Sequence, residues 1–252
     1  MDFSRYRALR RVPAAAAVAL CLAAPAHADG NPGYDRPGLG FTPAVLQAGD
    51  VTWEQGLPDW SRSGDGSSQY TADTLLRLGL GGPFEVQLGT SYNRLDLHGR
   101  HDDGRGESSL GLKFALPASG TVSWGLLASA TFTDGAPAFR DDRRSYLLGT
   151  AISWQRTARN APGAYVENVR SGGRDSHLVA LNDSYALTPA LNGYIEAAWQ
   201  HDAGTGAGSM AGAGLAWQAT SRIQLDGSVR HRLGGRADTW EAGLGLSVYF
   251  GR

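Results

Sequence analysis

The stretch TWEAGLGLSVYF, Thr239–Phe250, alternates without a break. Trp240, Ala242, Leu244, Leu246, Val248 and Phe250 fall on one side, and Glu241, Gly243, Gly245, Ser247 and Tyr249 on the other. A period of two sustained this long specifies an extended strand with one apolar face. FEVQLGTSY (84–92) does the same, setting Phe84, Val86, Leu88 and Tyr92 against Glu85, Gln87, Gly89 and Ser91. In RIQLDGSVRHRL (222–233), Ile223, Leu225, Val229 and Leu233 oppose Gln224, Asp226, Ser228, Arg230 and Arg232. After Ala28 no stretch holds helical periodicity over three turns. The alternation predicts about twelve strands, near 50–57, 70–80, 84–95, 107–116, 121–133, 144–156, 163–170, 176–187, 191–201, 209–218, 222–233 and 239–250. The seventh, AYVENVR, alternates least.

The first 28 residues read as an export signal: Arg5, Arg7, Arg10 and Arg11 precede a short apolar run, and Ala26-His27-Ala28 supplies the small-x-small cleavage pattern. Cys21 raises a lipoprotein alternative, which the bulky Leu20 before it disfavours. Cleavage after Ala28 removes this cysteine, the sole one, and with it disulfides, thiol catalysis and cysteine metal sites. Loss of four Arg and one Asp moves the formal charge from −1 to −4, which gives no electrostatic case for nucleic-acid binding. Lys113 is the sole lysine, and Gly is 35 of 252, about twice the usual share.

The connections sharpen the fold. After odd-numbered strands they are longer and polar: PDWSRSGDGSSQ, DLHGRHDDGRG, DGAPAFRDDR, SGGRD, DAGTGAG and GGRAD. After even-numbered strands they are mostly tight: GGP, PASG, TPA and ATS, with RTARNAP the exception. Long outer loops over short periplasmic turns predict an all-β, antiparallel, up-and-down transmembrane β-barrel of about 12 strands in the outer membrane. An even strand count puts both termini in the periplasm. The outward aromatics sort by depth: Trp53, Phe84, Phe114, Trp124, Trp154, Tyr185, Trp217 and Phe250 at periplasmic ends, and Tyr92, Phe132, Tyr146, Trp199 and Trp240 at outer ends. Two aromatic belts around an aliphatic band suit a wall facing outer-membrane lipid, and a soluble β-sandwich has no reason to build them. The expected organisation is a signal peptide (1–28), a periplasmic or lumenal segment (29–49) and the barrel (50–252), its lumen narrow or plugged.

DRPGLGFTPAVLQAGDVTWEQGL (35–57) resembles the start of the outer-membrane barrel family named for the meta-pathway of phenol degradation, often simply called transporter. TLLRLGLGGPFEVQLGTSY, ESSLGLKFAL and LDGSVRHRLGG…WEAGLGLSVYFGR match further, so the resemblance runs from about Asp35 to Arg252. It implies passage of small hydrophobic or aromatic compounds. It also implies a belt and barrel-assembly role for Phe250, although this chain continues to Gly251-Arg252 where many such proteins stop on the aromatic.

Asp35, Arg36 and Pro37 precede the first strand, as a plug whose charges pair with the inner wall or as a solvated turn. The inner wall carries Glu54, Arg77, Glu85, Lys113, Glu196, Asp226, Arg230, Arg232 and Glu241, either a selectivity lining or a network that stiffens the barrel. Asp102/Asp103 and Asp141/Asp142 lack a full ligand set at any calcium-loop spacing, so no metal and no cofactor is expected. A lipid hydrolase needs an orienting His beside a Ser; His177 follows Ser176 and His231 follows Arg230, but no catalytic signature surrounds either. The expectation is a channel for small solutes, with a plugged structural barrel as the alternative and no enzyme.

Overall fold

A computed structural model describes residues 31–116 and 120–251. The expected signal peptide and cleavage site lie outside the described residues. Fourteen strand segments form one antiparallel sheet that closes on itself. Two pairs of segments are collinear, so the barrel has twelve staves. These are β1 (Val51–Gly56 continued by Asp59–Arg62), β2 (Ser68–Gly81), β3 (Phe84–Leu97), β4 (Arg100–Arg105 continued by Ser109–Ala115), β5 (Val122–Thr131) and β6 (Ser145–Trp154). The second half comprises β7 (Asn160–Ser171), β8 (Arg174–Thr188), β9 (Leu191–Asp202), β10 (Gly206–Thr220), β11 (Ile223–Gly235) and β12 (Trp240–Phe250). Each stave pairs with the next in sequence, and β12 closes on β1 from Val51↔Phe250 to Gly56↔Gly245. Closure satisfies the backbone within the wall, which lipid demands.

The predicted faces hold. Tyr92, Tyr146, Trp154, Tyr185, Trp199, Trp217, Trp240 and Phe250 are exposed on the outer wall, with Leu148, Leu181, Ile195 and Leu244 between them. Thr52, Glu54, Arg77, Glu85 and Lys113 are buried inside. β7 is a full twelve-residue strand despite its poor alternation. The reason is Tyr165, an apolar-looking residue that points inward and stacks edge-on with Phe41 at 5.6 Å.

Two connections expected as polar loops are tight turns between protruding strands. DLHGRHDDGRG is β3 running to Leu97, a turn at His98-Gly99, and a return along β4. SGGRD turns at Gly172-Gly173. All four turn residues have positive φ (47°, 91°, 58° and 85°), the geometry whose twist matches a two-residue hairpin. On this side the extra length lies in the strands themselves.

One irregularity matters for the interior. Gly56 opposes Gly245, yet Trp60 opposes Ala242, so β1 carries one residue more than β12 across Leu57-Pro58. The same excess appears against β2, where Gln55 opposes Thr74 and Asp59 opposes Thr71. This is a β-bulge at a proline, which has no N–H to give the ladder. Strict alternation from Glu54 would turn Asp59 to lipid and Trp60 inward. The bulge reverses both, and Asp59 reaches the lumen.

Candidate functional site in the barrel lumen

Residues 33–48 thread the barrel interior, and the inner wall is shaped to receive them. A Cβ on Gly79 would lie 1.9 Å from the Gln47 carbonyl oxygen. One on Gly125 would lie 3.3 Å from the Phe41 ring, and one on Gly149 2.9 Å from the Tyr165 hydroxyl. Gly79 and Gly125 therefore leave the space the segment fills, and Gly149 leaves room for the inward Tyr165 ring. Leu46 is 1% exposed, beneath Tyr34 and Tyr249.

Asp35 enters the most enclosed cluster. Lys113 Nζ donates to its Oδ1 at 2.9 Å, Gln87 Nε2 to Oδ2 at 2.9 Å, and the Thr42 amide to Oδ1 at 2.8 Å. Arg77 bridges Glu54 at 3.0 Å and Glu85 at 2.8 Å, lies 3.5 Å from Asp35, and donates to the Gly33 carbonyl at 2.9 Å. Arg77, Lys113, Glu54 and Glu85 have no exposed side-chain surface. Three carboxylates face two cations here, and the segment's own backbone offsets the difference. The Asp35 and Arg36 amides donate to Glu54 Oε2 at 3.0 and 2.9 Å, and the Leu46 amide to Glu85 at 3.0 Å. Arg77 and Lys113 beside it compensate the burial of the Asp35 carboxylate.

Arg36 points the other way. Its guanidinium meets Asp59 at 3.0 Å, Asp73 at 3.1 Å and Asp226 at 3.5 Å, and donates to the Leu244 carbonyl at 3.1 Å. Asp59 and Asp73 are 37% and 41% exposed, so this grip is far more hydrated than that of Asp35. Pro37 is held through its carbonyl oxygen, which accepts from Tyr194 Oη and Arg230 Nη2, each at 3.1 Å. Arg230 pairs with Glu196 at 2.6 Å and Glu241 at 3.4 Å, and Glu196 accepts the Leu39 amide at 3.0 Å.

The inner-wall candidates thus converge on one segment, except Arg232, which sits towards the outer mouth beside the Ala237 carbonyl at 3.4 Å. Sequence reading missed Asp59, Asp73, Gln87, Tyr165 and Tyr194. Asp73 was legible, because alternation puts it on the same face as Arg77. Asp59 was not, since its inward turn depends on the bulge. Ser176 and His177 are adjacent on a strand and face opposite sides of the wall, so they form no Ser–His pair.

Residues 35–40 line two cavities. The outer one, about 380 Å³, is bounded by Asp59, Asp73, Arg230 and Glu241. The periplasmic one, about 200 Å³, is bounded by Tyr34, Phe41, Tyr165, Tyr194 and Asn182. One wall of the segment therefore faces charge and the other faces rings.

The fold and the polar, occupied lumen define a transmembrane β-barrel of the outer-membrane type. No helix among the described residues is long and apolar enough to cross a membrane; the strands make the crossing. No protein-family model and no curated protein sequence matches this chain. Among solved structures it is similar to the COG4313 outer membrane channel from Pseudomonas putida F1, at 14% identity and TM-score 0.62, covering 85% of this chain and 99% of that one. It is also similar to the KdgM porin, at 8% identity and TM-score 0.58 over 80% of this chain and 99% of that one. The NanC porin follows at 11% identity and TM-score 0.53, over 80% and 100%. At these identities the likeness is one of fold.

Proposed function

We propose that the protein is an outer-membrane channel for small solutes, closed at rest by residues 35–40, and that its solutes are single-ring aromatic compounds carrying a polar group. The observation that carries this reading is the pair of cavities on either side of one removable segment. The outer cavity offers carboxylates and arginines to a polar substituent. The periplasmic cavity offers Tyr34, Phe41, Tyr165 and Tyr194 to a ring, and a cavity of ~150 Å³ suffices for benzene. The resemblance to the phenol meta-pathway barrels agrees with this solute class, and the structural neighbours, an outer membrane channel and two porins, agree with a channel. Phe250, exposed at the end of β12, is the proposed contact with the assembly machinery.

The density of ion pairs on Asp35 and Arg36 favours a second reading, a barrel permanently closed by its own segment. Liposomes holding purified protein separate the two. Wild type should admit a phenolic solute slowly, and Gly79→Val, whose side chain displaces Leu46 and Gln47, should admit it faster. Absence of uptake in both, with the heat-modifiable gel shift retained, would leave only the structural barrel.

A further inference from the structure

The outer wall of β6–β9 carries a feature that passage through the lumen does not use. Leu148, Asn168, His177 and His201 stand side by side in one outward row, each opposite the next across its ladder. One row towards the periplasm lie Thr150, Val166, Val179 and Trp199, and one row outward lie Tyr146, Arg170 and Asp175. Polar side chains therefore begin immediately above the belt residue Trp199. A groove of about 440 Å³ runs below them, its apolar lining Leu126, Leu148, Val166, Val179 and Trp199.

Two polar atoms in this band are enclosed and have no partner, Asn168 Oδ1 and His201 Nδ1. The Asn168 amide nitrogen already donates to Asp175 at 3.2 Å, so its oxygen is oriented as a free acceptor. Cations gather at the rim. Arg170 reaches Asp175 at 2.7 Å and is still 59% exposed. Arg144 lies 5.3 Å over the Phe132 ring, and Arg143 lies along the Gly172 turn that also carries Arg174. Asp141 and Asp142 share the Arg143 loop, but there the Asp141 amide donates to Glu107, between the two segments of β4.

We infer that this strip binds one phosphorylated glycolipid of the outer leaflet, an acyl chain in the Val166–Val179 groove and the headgroup against Asn168, His177, His201, Arg144 and Arg170. Each part of such a lipid meets a matching group. Guanidinium forks suit phosphate oxygens, and exposed Arg near a membrane surface favours anionic headgroups. A sugar hydroxyl supplies the donor that Asn168 Oδ1 lacks. The groove otherwise leaves apolar side chains facing a recess in the wall, which a single hydrocarbon chain fills. The inference rests on the barrel and its outer face, and is independent of whether the lumen conducts.

Native mass spectrometry of delipidated barrel in detergent tests it. Four probes are titrated: a bis-phosphorylated, acylated glycolipid, its dephosphorylated form, its deacylated form, and inorganic phosphate. The intact lipid should give a persistent one-to-one adduct, and the other three should bind at least roughly tenfold more weakly. Arg144→Glu with Arg170→Glu should cost the intact lipid roughly tenfold. Val166→Trp, which fills the groove, should cost a similar factor, while both variants keep the heat-modifiable gel shift. Arg156→Glu with Arg159→Glu, at the periplasmic end, should change nothing. Equal binding of the dephosphorylated lipid, or of deacylated sugar phosphate, would overturn the assignment, as would equal loss in the periplasmic variant.

Discussion

Asp35 and Arg36 are adjacent, opposite in charge, and anchored in different ways. Asp35 sits in a dry cluster with Lys113, Arg77 and four backbone amides that donate to its carboxylates. Arg36 faces three carboxylates, two of them more than a third exposed to the outer cavity. The same segment is thus locked on its periplasmic side and loosely tethered on its outer side. A buried pair resists rearrangement because separating it strands a charge in low dielectric; a hydrated pair exchanges its partner for water at little cost. If the segment moves, the Arg36 side should release first.

The comparison breaks most severely at Arg77. Arg77→Met leaves Glu54, Glu85 and Asp35 facing Lys113 alone, and should destabilise the barrel by about 3–5 kcal/mol, read as a lower temperature for loss of the folded gel band. Asp35→Asn should come next. It removes only the segment's own charge, so the barrel should persist while planar-bilayer conductance rises. Lys113 keeps Glu85 at 3.6 Å when Asp35 is neutral, so combining Lys113→Met with Asp35→Asn should cost less than the sum of the two single changes. An additive outcome would show that Asp35 and Lys113 are not coupled. Arg36→Gln should cost less than Arg77→Met, because Asp59 and Asp73 rehydrate from the outer cavity, and should raise conductance less than Asp35→Asn. A larger effect than that of Asp35→Asn would reverse the order of release.

The smallest effect concerns an outer-loop counterpart of these grips. Asp134 accepts from the Ser108 amide and hydroxyl, each at 2.8 Å, and pairs with Arg105 at 3.1 Å. These contacts, the Ser108 amide first, hold its carboxyl down to about 2. A depressed carboxylate contributes above its unfolded value and is lost as pH falls through its folded value. Protection of the Ser108 amide from hydrogen exchange should therefore survive at pH 4 and disappear only near pH 2.

Much of the interior was legible one residue at a time. Glu54, Arg77, Glu85, Lys113, Glu196, Asp226 and Arg230 face inward because alternation has a fixed period, and no tertiary information is needed to count by two. Asp59 defied that count because a bulge at Pro58 inserts one residue, and nothing in PDW says where the ladder skips. AYVENVR looked weak as a strand because Tyr165 reads as an outward apolar residue. Its ring belongs inside because Phe41, over a hundred residues earlier, arrives to meet it.

Sequence by itself determined the barrel, its strand count, its two faces and its aromatic belts, since all follow from local periodicity against a two-sided environment. Tertiary structure alone decided what fills the lumen. Which carboxylate meets which cation depends on stagger between staves and on the path of residues 33–48, and both are set by long-range closure. The DRP motif shows the division: its charges are written in the sequence, but their opposite destinations on the wall exist only once the barrel has closed around them.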